Sequence, residues 1–145
     1  MKKNTLGSLI YLRLARFMNQ SNQLSQQFLK RFNVTVAQFD VLVQISEHEP
    51  ISQQELAQKV LVSPGGISKM LQRLEQEGFI EREIIWKTKF IRLSDKGQEK
   101  LSQVYPEQLT FQTSLFENSL TPSEQKELYK LLTKIQQHTE QQLNQ

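Results

Sequence analysis

Between residues 52 and 89 the side chains able to do chemistry are hydrogen-bonding groups and cations, not nucleophiles or paired acids. They are Ser52, Gln53, Gln54, Ser63, Ser68, Lys69, Gln72, Arg73, Lys87 and Lys89. Such groups suit recognition of phosphate oxygens and base edges, where a good bidentate contact is worth ~1–3 kcal/mol. Ser63-Pro64 reads as a helix start, with serine as N-cap and proline at the first position, where its missing N–H costs nothing. The free N–H groups and positive dipole end of that helix suit a phosphate. Gly65 and Gly66 either let it approach base edges closely or keep the turn tight. Lys69 and Gln72 are expected to touch DNA. Arg73 is equally placed to donate to a guanine or to pair with Glu77 one turn later. Ser52, Gln53 and Gln54 open a preceding helix and are expected at the DNA backbone.

Reactive chemistry has little support. The chain lacks a phosphate-cradling glycine loop, an HExxH pair, a nucleophile elbow and a convincing carboxylate pair, so no enzyme and no cofactor are expected. Cysteine is absent, which excludes disulfides and thiolate metal sites within the chain. His48 lies between Glu47 and Glu49, but three adjacent side chains cannot converge on one ion without strain, so no metal is expected. His138 falls on a polar, glutamine-rich stretch.

The chain's 145 residues suit one domain with a real core. No apolar run approaches the roughly 20 residues that span a bilayer. The N-terminus lacks the pattern of a secretory signal, so a cytoplasmic protein with no membrane partner is expected. The net charge of +3 is unevenly spread: residues 1–39 carry six bases and no acid, whereas residues 40–97 carry eight bases and nine acids. Contact with nucleic acid in the second stretch must therefore rest on a few well-placed groups.

Apolar spacing predicts a long helix over 6–31, with Ile10, Leu14, Phe17, Leu24 and Phe28 on one stripe. Leu9, Leu12 and Leu29 fall partly off it, which predicts burial on more than one side. Thr35 with Gln38 resembles a capping box before a helix over 36–48, and Pro50 ends that segment. Ser52 with Glu55 repeats the box before a short helix over 53–60. Leu61-Val62 connects it to the helix at Ser63, whose Ile67, Met70, Leu71 and Leu74 form a buried stripe and which Gly78 terminates. Residues 79–85 and 89–93 alternate as two strands around Trp86-Lys87-Thr88. Trp86 is expected to fold back on the hairpin or contact a sugar. A long helical region follows from Ser94-Asp95, with Pro106 expected to kink or reset it, and Thr121-Pro122 starts a last helix over 122–142.

This order, with V-S-P-G-G-I-S-K-M-L-Q-R-L-E-Q-E-G-F-I-E-R and then L-S-D-K-G, resembles the multiple-antibiotic-resistance regulator (MarR) family over nearly the whole chain. The resemblance implies a mainly α fold with a small β-hairpin wing. Residues 35–97 would form a winged helix-turn-helix lobe, and residues 1–34 and 98–145 would be dimerisation helices within one MarR-like domain. It also implies a homodimeric transcriptional regulator, a repressor on a pseudo-palindromic double-stranded DNA operator. In the family an arginine at the wing tip enters the minor groove. Here the wing is shorter and has Trp86, Lys87, Thr88 and Lys89 in place of the usual D-x-R, so Lys87 and Lys89 become phosphate clamps. Arg82 matches a prominent family arginine and is expected to brace the wing against an acidic neighbour.

Family members often bind small phenolic or carboxylate effectors between dimer platform and lobe. The corresponding expectation names Arg13 and Arg16 as anion partners, with Tyr11, Phe17 and Phe39 as apolar walls. The competing reading is a winged-helix protein-interaction module without strong DNA binding, suggested by the weak lobe charge and altered wing.

Overall fold

The computed structural model describes residues 3–60 and 62–145, and of Pro64 the backbone only. Lys2, one of the six N-terminal bases, and Leu61, half of the expected connector, lie outside the described residues. The chain groups into two compact units that divide after Gln108.

The first unit opens with α1 (Leu6–Leu29), capped by the Thr5 hydroxyl, which accepts from the Ser8 N–H at 3.0 Å. The helix tightens into a 3-10 turn over Lys30–Phe32 and stops at Asn33, whose left-handed φ of 58° asparagine tolerates better than most residues. The reciprocal Thr35–Gln38 box then starts α2 (Val36–His48), as expected. A short strand, β1 (Ile51–Ser52), precedes α3 (Gln53–Lys59) and was not foreseen, because two residues are too few to show alternation. At α3 the expected box is only half formed. Ser52 caps the Glu55 N–H, but its hydroxyl also donates to the Glu55 carboxylate at 3.2 Å.

Helix α4 (Pro64–Gln76) follows, then β2 (Ile80–Ile85) and β3 (Thr88–Leu93). The antiparallel sheet has the order β1-β3-β2, and β2 and β3 pair from Ile80↔Leu93 to Ile85↔Thr88. Only Trp86 and Lys87 form the turn, so Thr88 belongs to a strand rather than the loop. Val41, Ile45, Ile51, Leu56, Ile67, Leu71, Leu74 and Ile91 close a core under this sheet and α2–α4. A smaller cluster of Leu29, Val34 and Val104 holds the end of α1 to α5 (Asp95–Glu117).

The base of the wing explains L-S-D-K-G physically. Ser94 donates through its hydroxyl to the Gly78 carbonyl and accepts from the Gly97 N–H at 3.0 Å, while its own N–H reaches the Phe79 carbonyl at 3.0 Å. A Cβ on Gly97 would lie 2.0 Å from that Phe79 oxygen, so no side chain fits. Gly78 turns the chain at φ 84°.

The second unit contains the end of α5 and α6 (Pro122–Leu143), which starts at a reciprocal Thr121–Glu124 box. Helix α5 continues through Pro106 rather than resetting there. No residue of α6 is buried. Nor are Leu9 and Leu12 of α1 buried on a second side: both are exposed, and only Leu29 of the three off-stripe leucines is enclosed. The reason is that periodicity reports which face is apolar, not whether one chain supplies the cover.

Candidate nucleic-acid interface

Helix α4 is anchored by Ile67, Leu71 and Leu74, all essentially inaccessible, which turns Ser68, Lys69, Gln72 and Arg73 to solvent. Its N-terminus is capped by the Ser63 hydroxyl, which accepts from the Gly66 N–H at 3.1 Å. The two glycines differ. A Cβ on Gly66 would come within 2.8 Å of Val62 Cγ1 and 3.0 Å of Ser63 Oγ, so this glycine keeps the turn tight. A Cβ on Gly65 would meet nothing within 4 Å, leaving that side of the helix end open for approach.

Two residues expected at DNA are engaged inside the protein. The Gln53 amide donates to Ser68 Oγ at 2.8 Å, and Arg82 Nη1 donates to the Gln53 carbonyl oxygen at 3.4 Å. Arg82 Nε also pairs with Glu75 at 2.9 Å, the acidic neighbour anticipated for it. This chain of contacts ties the start of α3, the middle of α4 and the root of β2 together, and so fixes the wing beside α4. Ser52 is likewise occupied as an N-cap, whereas Gln54 is exposed on the first turn of α3. Nothing in local spacing signals a bond between residues 15 or 29 positions apart. Only the acid partner of Arg82 was foreseeable.

Charges sort by type. Arg73 pairs with Glu77 at 3.1 Å, Arg92 with Glu83 at 2.9 Å and Arg82 with Glu75, so every arginine in residues 35–97 has a glutamate partner. Among the described residues Lys69, Lys87 and Lys89 make no ion pair, and all three are exposed. Within α4 and the hairpin the exposed cations without an acid partner among the described residues are thus lysines: Lys69 on the outer face of α4, and Lys87 and Lys89 near the hairpin turn.

The five residues expected around an effector are not gathered into a cavity by a single chain. Tyr11, Arg13, Arg16 and Phe17 are exposed on α1, and at 100° per residue Tyr11 points well away from Arg13 and Phe17. Phe39 instead stacks on Tyr105, with centroids 6.1 Å apart. The first unit has an open cleft of about 620 Å³ lined by Val43, Leu93, Leu101 and Tyr105 with Glu47 and Glu49 at its polar edge, and it includes none of the five. Trp86 does not fold back on the wing either: it is 94% exposed.

A capped helix with an exposed polar face, packed on a short supporting helix and flanked by a two-stranded hairpin, defines a winged helix-turn-helix DNA-binding protein. Residues 34–85 match the model of the MarR family. An HTH-type transcriptional regulator of Bacillus cereus is 58% identical over 97% of this chain and 95% of its own length. The crystal structure of apo MarR from E. coli superposes with a TM-score of 0.76 at 28% identity, covering 92% of this chain and 98% of that one. Staphylococcus aureus MarR, solved in complex with salicylate and kanamycin, shares the fold with a TM-score of 0.82 at 18% identity, over 94% and 93% of the two chains. The chain belongs to the MarR family of DNA-binding transcriptional regulators and is not an enzyme. Among the described residues no helix is long and apolar enough to cross a membrane.

Proposed function

We propose that the protein is a cytoplasmic homodimeric repressor that binds a pseudo-palindromic operator and is released by a small phenolic or carboxylate ligand. What supports DNA reading most is the exposed Lys69–Gln72 edge of α4, open at Gly65, with Lys87 and Lys89 on the adjoining hairpin. In this reading Lys69 and Gln72 contact base edges and the first turn of α4, with Ser63, Pro64 and Gly65, faces a phosphate. Gln54, Lys87 and Lys89 hold the backbone, and Arg73 exchanges Glu77 for DNA. Gln53 and Ser68 position the readers. Residues 35–97 act as the reading lobe. Residues 1–34 and 98–145 form the dimer platform, a role suited to the exposed Ile10, Leu12 and Met18 of α1 and Leu131, Leu132 and Ile135 of α6. Salicylate bound to the S. aureus protein supports an effector of that chemistry, with Arg13 and Arg16 as its anion partners at a site completed by the second subunit.

Fragments selected from the source genome, tested by mobility shift across salt, decide the matter. A reader gives a log–log salt slope of several units, and Lys87→Ala lowers it by about one. A flat salt response favours the protein-interaction module. Sedimentation that finds only monomers at micromolar concentration defeats the dimer. Salicylate that neither shifts the melting temperature nor weakens the DNA complex defeats that class of effector.

A further inference from the structure

Trp86 is doubly unfavourable where it stands. The side chain is 94% exposed, and the backbone occupies the left-handed region at φ 60° in a two-residue turn. Turn chemistry favours glycine, asparagine or aspartate there, and burial favours tryptophan elsewhere. Closing two strands therefore does not explain this residue. Its surroundings are equally specific. Ile84, 68% exposed, lies opposite Lys89 in the sheet register, and Lys87 follows Trp86 in the turn. The nearest wing acid, Glu83, is held by Arg92 at 2.9 Å. The tip thus presents an exposed indole near two exposed lysines, Lys87 next to it in the turn and Lys89 on β3, that make no ion pair among the described residues.

A narrow cleft with apolar sugar walls and anionic rims complements that tip, and the DNA minor groove is such a cleft, about 6 Å wide. The Gln53–Arg82–Glu75 contacts hold β2 beside α4, so the hairpin moves with that helix when it docks on a duplex. We propose that Trp86 is a minor-groove wedge: its indole seats against deoxyribose walls and base edges while Lys87 and Lys89 take the flanking phosphates. The proposal rests on the reading of α4 as the DNA-contacting helix. An apolar ring in that cleft makes the tip read groove width and the absence of guanine's N2 amino group.

The chain has one tryptophan and three tyrosines, so fluorescence excited at the red edge, where only indole absorbs, reports on this residue alone. The full chain is titrated with a genome-selected duplex while a mobility shift follows complex formation. In the complex the emission is expected to shift or quench and acrylamide access to fall several-fold. Trp86→Ala should bind about tenfold more weakly with an unchanged salt slope, Trp86→Phe within about threefold of the parent, and Lys87→Ala with a slope lower by about one. Replacing A·T with G·C beneath the tip should weaken the parent, and I·C, which lacks the N2 amino group, should restore it. Trp86→Ala should ignore both changes. A complex in which the indole stays as accessible as in free protein, or which Trp86→Ala forms equally well, overturns the wedge and leaves the DNA reading intact. No complex with any duplex overturns both.

Discussion

The winged-helix lobe and the last helix bury their apolar residues to opposite extents. In the lobe Val41, Ile45, Leu56, Ile67, Leu71, Leu74 and Ile91 are almost wholly enclosed by one chain. In the second unit α6 encloses nothing, although Leu128, Leu131, Leu132 and Ile135 repeat as regularly as any stripe in the lobe. Equal amphipathicity thus has two meanings: a core that the chain completes, and a face that it leaves open. The lobe's stability is internal, whereas the proposed platform depends on a second copy.

The largest expected effect tests the closed side. Gly97→Ala drives a methyl group into the Phe79 carbonyl and should cost about 3 kcal/mol, read as a lower denaturation midpoint at every protein concentration. Leu71→Ala, a cavity beneath α4, should cost about 2–3 kcal/mol and also be independent of concentration. On the open side, Leu131→Asp should barely change the stability of dilute monomer but should abolish dimer in sedimentation. If Leu131→Asp instead unfolds the monomer, the distinction between the two regions collapses. Arg82→Gln leaves Glu75 unpaired and releases the Gln53 side-chain oxygen, and should cost about 1 kcal/mol while weakening DNA binding through a loosened wing.

The smallest effect belongs to Glu124. The backbone N–H and then the hydroxyl of Thr121 hold its carboxyl below the ordinary value of 4.5. A group with a depressed folded pKa contributes stability above its unfolded value and loses it as pH falls through the folded one. Helicity of α6 should therefore decline as pH drops below about 4.5. Glu124→Gln should flatten that part of the acid titration followed by circular dichroism.

Much of this was legible from residue spacing. Thr35, Ser63, Thr121 and Gly78 mark helix ends by local chemistry, and the structure keeps each of them. The stripe Ile67–Leu71–Leu74 fixed which side of α4 faces out, and with it the candidate readers. What spacing cannot carry is contact between distant positions. The Gln53–Ser68 bond joins two expected DNA contacts to one another, and the collision that forbids a side chain at Gly97 is visible only once Phe79 is packed against it. The exposure of Leu9, Leu12 and Trp86 escaped for a related reason. An apolar residue does not announce whether its cover comes from its own chain or from another molecule.

Pairing every lobe arginine with a glutamate has a consequence for information content. In the proposed reading Arg73 must give up Glu77 before its planar fork can meet a guanine, so direct donation to bases rests chiefly on Lys69 and Gln72. Part of the discrimination among sites would then fall on duplex geometry. For the proposed dimer, inserting a single base pair between half-sites should impair occupancy more than changing any one letter within them.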